Sequence, residues 1–170
     1  YAGFATFAYG WYRFRRGYED VGYWEMYAYP FKKQVIREQM GEWQIKKAFE
    51  HLRNREFREG LTYLRTGVAR APKNLDGRQL LSDFYLRFFQ QPEDALNLLR
   101  DGLPYASENQ PYINRYLTLL NKYMKDNEVL EYTSQELAKN PADPLIVKTL
   151  ALHRAQALAL QFESHAQRMQ

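Results

Sequence analysis

The sequence predicts an all-α chain, an α-solenoid of stacked helical hairpins preceded by an aromatic-rich helix or arm. Three observations carry that prediction. A phrase occurs twice, Glu56-Phe57-Arg58-Glu59-Gly60-Leu61-Thr62-Tyr63-Leu64 leading to Pro72 and Asp126-Asn127-Glu128-Val129-Leu130-Glu131-Tyr132 leading to Pro141, with the Leu-x-Tyr cores 69 residues apart. Midway, residues 92–103 align on the same apolar positions, so the spacing resolves into one step of 35 residues and one of 34. A period in the mid-thirties is the length of a helical hairpin with its turns, and a lone hairpin leaves an apolar face bare, so copies stack. Third, 13 of the 27 aromatic residues fall within the first 31 positions, which sets an N-terminal segment apart from the rest.

Residues 1–40 form that segment. From Tyr1 to Phe14 a single charge occurs, Arg13, and Arg15 and Arg16 follow at once. A helix of this length is about 21 Å long, short of the roughly 30 Å hydrocarbon core of a bilayer, so as written it cannot span. Its order is that of the last turns of a membrane helix reaching the headgroups: small and apolar residues with Phe4 and Phe7, then Tyr9, Trp11 and Tyr12, then the arginines. Tyr1 rather than Met stands first, which reads as a processed or excerpted product with the remainder of such a span upstream. The same aromatics suit an arm docked on another protein, on a neighbouring subunit or on the repeats themselves, and both readings stand. Over 17–40, Gly17, Gly22 and Pro30 predict a loop and then a lead-in helix. Tyr23, Trp24, Tyr27, Tyr29 and Phe31 are too many for a free linker and predict packing, while Lys32, Lys33 and Arg37 read as a solvated helix face.

The hairpins divide as 41–74, 75–109, 110–143 and a partial fourth over 144–157, with 158–170 as a helical extension. In the first, Trp43, Ala48, Leu52, Gly60, Leu64, Gly67 and Pro72 alternate large and small side chains before a helix-ending proline. Leu81, Ser82, Tyr85, Ala95, Leu99 and Gly102 form the matching set in the second, and Tyr116, Leu120, Val129 and Pro141 in the third. Two antiparallel helices approach closely where one presents Ala, Gly or Ser and the ridges on either side are filled by Leu, Tyr or Phe.

In that pattern the chain resembles the tetratricopeptide repeat family over roughly residues 41–157. The resemblance implies a right-handed solenoid whose first helices line a concave face that receives protein segments. The third copy departs from the pattern at Leu117, Val129 and Glu136, where small residues are expected, and Leu150, Ala151 and Ala155 begin a fourth hairpin that is not completed. Asp143-Pro144, Asn109-Gln110-Pro111 and Gln91-Pro92 predict helix starts, and residues 71–74 and 139–142 predict turns. After Pro144 no Gly, Pro or Asn interrupts as far as Arg168, which predicts a long final helix acting as a solvating cap.

Several chemistries find no footing. Without cysteine there is no disulfide, thiolate zinc site or thiol nucleophile. His51, His153 and His165 are the three histidines, too scattered for a shared metal, and read as structural or surface residues. Glu19-Asp20 and Glu93-Asp94 suit turns and helix starts. Phosphate loops, nucleophile elbows and zinc-binding helices are absent, so neither catalysis nor a cofactor is expected. The net charge of +4 is concentrated: residues 41–74 carry eight Lys/Arg against four Asp/Glu, and 75–170 carry ten against twelve. That is not the continuous basic stripe of a nucleic-acid binder.

The expected function is a protein-interaction scaffold held at a membrane with its repeats on the cytoplasmic side. The alternative is a structural subunit of a larger or self-associating assembly, docked through the aromatic segment. If the repeats superpose, Arg53, Arg87 and Lys122 form a ladder of cations near the ends of successive first helices, suited to an acidic partner segment. Helix dipoles favour cations at those ends in any case. Ile45, Phe49 and Asp83 complete the concave-face candidates. Phe4, Phe7, Tyr9, Trp11, Tyr12, Arg13, Arg15, Arg16 and Trp24 are the membrane or docking candidates.

Overall fold

The computed structural model describes residues 2–15, 22–24 and 29–168, and every regular element among them is helical. Helix α1 (Ala2–Gly10) runs into one π-helical turn, Trp11–Arg15. Helices α2 (Tyr29–Arg53), α3 (Phe57–Arg70) and α4 (Leu75–Phe84) follow, and α4 ends in a second π turn, Tyr85–Phe89. Then come α5 (Pro92–Arg100), a 3-10 turn at Leu103–Tyr105, α6 (Gln110–Lys122), α7 (Asp126–Ala138) and α8 (Pro144–Arg168). By compactness the chain divides into two units, Tyr1–Leu81 and Ser82–Gln170. Among the described residues no helix is long and apolar enough to cross a membrane.

Three helix starts, those of α4, α6 and α8, are set by side chains that fill orphan backbone donors. Asn74 accepts from the Gly77 N–H at 2.7 Å, Asn109 from the Tyr112 N–H at 3.1 Å, and Asp143 from the Leu145 N–H at 2.8 Å. Proline stands in the first turn of α5 and α6, where its missing N–H costs nothing. Helix α2 begins at Tyr29 with Pro30 in its own first turn, kinks at Lys32 (φ −118°, ψ 20°) and then runs unbroken through Met40 and Gly41 into the first hairpin.

Within the first unit α2 and α3 pack antiparallel. A Cβ on Gly41 would meet Ala71, one on Gly67 would meet Ile45 and one on Gly60 would meet Leu52, so partners retreat along α3 as α2 advances. Ala48 and Leu64 are fully buried in this seam. Tyr63 lies edge-on to Trp43 at 6.0 Å and stacks on the His51 ring at 5.1 Å. The second unit builds its core from Leu96, Leu99, Tyr112, Leu117, Leu120, Val129 and Leu150, all buried. Tyr112 donates its hydroxyl hydrogen bond to the Leu99 carbonyl at 2.9 Å, which satisfies the polar tip of a fully buried ring. Tyr132 lies edge-on to Tyr116 at 5.6 Å, and burial pushes its phenol above the ordinary range.

The turns repeat with the spacing of the sequence phrase. Arg55, Gln90 and Met124 each take a left-handed φ, 65°, 52° and 54°, at steps of 35 and 34 residues by their numbers. After α2, the Glu56 N–H bonds the His51 carbonyl and the Arg55 N–H bonds Leu52; after α6, Lys125 and Met124 bond Leu120 and Asn121 in the same way. These are paired Schellman closures, made without the usual glycine. The middle turn is one residue longer: the left-handed residue comes seven positions after buried Ala48 and buried Leu117 but eight after buried Ser82. The π turn Tyr85–Phe89 occupies that interval and takes up the extra residue, so α4 keeps its buried face without a break.

Helix α8 corrects one expectation. It is as long as the sequence predicts, but it is not a solvating cap: Leu145 is 62% exposed and Phe162 77%, and Leu152, Leu158 and Leu160 are exposed with them. The inner face, Ile146, Leu150, His153 and Ala157, is buried, so α8 presents large apolar side chains on its outer side as well as its packed one.

Candidate functional site

The N-terminal candidates separate into an inner and an outer side. Ala8 and Tyr9 pack against buried Ile36 and Met40 of α2, so part of the aromatic segment is spent on docking α1 to its own unit. Tyr9 also meets the Tyr23 ring edge at 5.4 Å, and the Arg13 guanidinium lies 5.8 Å over the Tyr9 ring. On the outer side Phe7, Trp11 and Phe14, spaced four and three apart, line an open apolar groove of about 370 Å³ with Thr6 and Gly10. Phe7 is 68% exposed and Phe14 81%. Phe14 is absent from the sequence-derived candidates, although its helical spacing from Trp11 signals it. Trp24 is exposed as well, its ring edge against Tyr23 at 5.5 Å. Phe4 lies in α1, and Tyr12 and Arg15 in the π turn. Arg16 lies outside the described residues.

On α2, Ile45, Phe49 and Arg53 come to one groove of about 460 Å³, shared with Glu42, Lys46, Glu50, Asn74 and Asp76. Steps of four residues along α2 put Ile45, Phe49 and Arg53 on one face. Ile45 is 3% exposed and wedged against Gly67 and Gly77, so it serves as floor rather than contact surface. Phe49 is the exposed apolar element, and Arg53 stands exposed at the helix end. Three carboxylates, Glu42, Glu50 and Asp76, face two cations, Lys46 and Arg53, so the lining is mixed in charge. The hydrogen bond from Lys47 holds the Glu50 carboxyl below its ordinary value, keeping it ionised. Asn74, besides capping α4, donates to Glu42 and thereby ties the two walls together.

In the second unit Asp83 is already engaged in an ion pair with Arg115. Arg87 is exposed in the π turn, and Lys122 is exposed at the end of α6 with its ammonium 5.7 Å over the Tyr123 ring. Sequence reasoning missed the polar seam between α6 and α8. Gln110 donates to Thr149 at 2.9 Å, His153 Nε2–H donates to Asn114 at 2.9 Å, and Asn121 donates to His153 Nδ1 at 2.9 Å. Both ring nitrogens are matched in the neutral state, and burial holds the His153 pKa below its ordinary value. Among the described residues no group of His, Asp and Glu is placed to hold a metal ion.

Comparison of the chain with protein-family models, with characterised proteins and with solved structures gave no match in any of the three.

Proposed function

We propose that the chain is a non-catalytic interaction scaffold built as a right-handed solenoid of tetratricopeptide-like hairpins. Helix α1 lies flat on an anionic membrane surface, and the α2 groove receives a partner protein segment. The observation that carries the reading is the outer line Phe7, Trp11 and Phe14: three large aromatics in one exposed row, on a short helix whose opposite side is already anchored through Ala8 and Tyr9. A short helix with one aromatic face belongs in the plane of a membrane interface rather than across it. Exposed Arg13, Lys32, Lys33 and Arg37 belong to the same unit and add attraction for anionic headgroups. For the partner segment, Phe49 supplies an apolar anchor, and the mixed charges of Glu42, Asp76, Lys46 and Arg53 favour a ligand carrying both signs over a uniformly acidic one.

Flotation of the whole chain with phosphatidylserine-containing vesicles tests the reading. The protein is expected to float, to float less with neutral vesicles, and to remain at the bottom when Phe7, Trp11 and Phe14 are all changed to Ser. Flotation indifferent to those changes, or none at all, overturns the membrane reading. If the native chain stays off vesicles while the triple variant alters its assembly size, the aromatic row is instead the docking edge of a structural subunit.

A further inference from the structure

We propose that α8 pairs antiparallel with the α8 of a second copy of this chain, about a two-fold axis at Ala155. Ala151 stands 34 residues after Leu117, one repeat step on, yet Leu117 is fully buried and Ala151 is exposed. The whole outward face of α8 is left in this state: Ala151, Leu152, Ala155, Leu158, Ala159 and Phe162 are exposed along one side of the helix. A row of apolar side chains on the solvent side of a helix whose other side is already packed leaves room for one further neighbour.

The face is complementary to itself. With Ala155 against Ala155 of the second copy, Leu152 lands on Ala159 and Leu158 lands on Ala151, a large side chain on a small one each time. The alanines at every fourth position let the backbones close in, while the leucines fill the grooves beside them. Lys148, the cation of this face, then lies beside Glu163 of the second copy, and the two-fold repeats the pair. Both Lys148 and Glu163 are exposed in the single chain. A parallel arrangement would instead set Lys148 against Lys148. This contact is separate from α1 and does not depend on the membrane reading.

Sedimentation of the full chain over about 1–100 µM tests the pairing. A monomer–dimer equilibrium is expected, weakened at least about tenfold by Lys148→Glu and restored by Lys148→Glu combined with Glu163→Lys. Since the chain has no cysteine, Ala155→Cys supplies a single reporter thiol. It should cross-link two copies under mild oxidation much faster than Thr118→Cys, which is exposed on α6. A monomer at every concentration, a dimer indifferent to Lys148→Glu, or equal cross-linking by the two thiols would overturn the proposal. A dimer lost on changing Phe7, Trp11 and Phe14 but not Lys148 would also overturn it, and would place the contact at α1.

Discussion

Gly41 and Gly67 face each other across α2 and α3: a Cβ on Gly41 would lie 2.8 Å from the Gly67 carbonyl oxygen, and one on Gly67 would lie 3.0 Å from the Gly41 carbonyl oxygen. The obstacle on each side is backbone, which cannot swing away as a side chain can. Gly41→Ala and Gly67→Ala should each destabilise the protein by about 1–3 kcal/mol in urea unfolding, and Ala48→Leu in the same seam by a similar amount. Gly10, with nothing within 4 Å of its Cβ position, is the control. Gly10→Ala should leave stability unchanged or raise it by up to about 1 kcal/mol.

The π turn predicts an asymmetric response to shortening. Deleting Arg87 removes the extra residue between Ser82 and Gln90, letting the turn relax to ordinary helix with its buried positions still in register. The deletion should change stability by no more than about 1 kcal/mol. Deleting Lys122 from α6, which has no residue to spare, rotates the Schellman turn at Met124 out of place and should cost more than about 3 kcal/mol. Equal losses in the two deletion variants would refute the role given to the π turn.

His153 predicts acid sensitivity with a definite sign. Its folded pKa lies below the ordinary 6.5, so the unfolded chain binds the proton more readily. The stability that neutral His153 supplies is present above about pH 6.5 and is lost as pH falls from there through the folded pKa. Protonation would also place a second N–H against the Asn121 amide that now donates to Nδ1. The melting temperature of the native chain should fall over that window, and the His153-dependent part of the slope should vanish in His153→Gln. A slope unchanged in the variant would assign the acid sensitivity elsewhere.

Left-handed turn residues other than glycine carry a backbone cost, and Met124 is an exposed example at φ 54°. Met124→Gly should therefore raise stability by about 0.5–1 kcal/mol, even though it removes a side chain. Thermal unfolding of that single variant checks it; a loss of stability would mean the Met124 side chain packs more than its exposure indicates.

What the sequence disclosed depended on how local the signal was. The turn spacing, the caps at Asn109 and Asp143 and the small residues at Ala48, Gly60 and Gly67 follow from chain-local chemistry and were legible. The surplus residue near Ser82 was legible as a length, whereas its form, a π turn, lies in how the backbone runs between buried Phe84 and left-handed Gln90, which residue types do not state. Within the aromatic segment, composition could not decide that Tyr9 turns inward while Phe14 turns outward, since both rings are apolar and the choice rests on Ile36 and Met40 far along the chain. Ile45 appeared as a groove candidate from its place on α2, and only the glycines opposite it make it a floor. The polar seam around His153 joins residues 32 and 39 apart, a separation at which single-residue types carry no pairing information.

The unbroken course of α2 beyond Lys32 has a mechanical consequence. Ile36, where α1 is seated, and Arg53, at the far end of the groove, are seventeen residues apart on one helix, about 26 Å at 1.5 Å per residue. No loop intervenes between them to absorb a rotation. A surface beneath α1 of the kind proposed would therefore set the height and heading of the first hairpin as a strut does, and a segment in the α2 groove would be presented at a fixed standoff instead of searching on a leash.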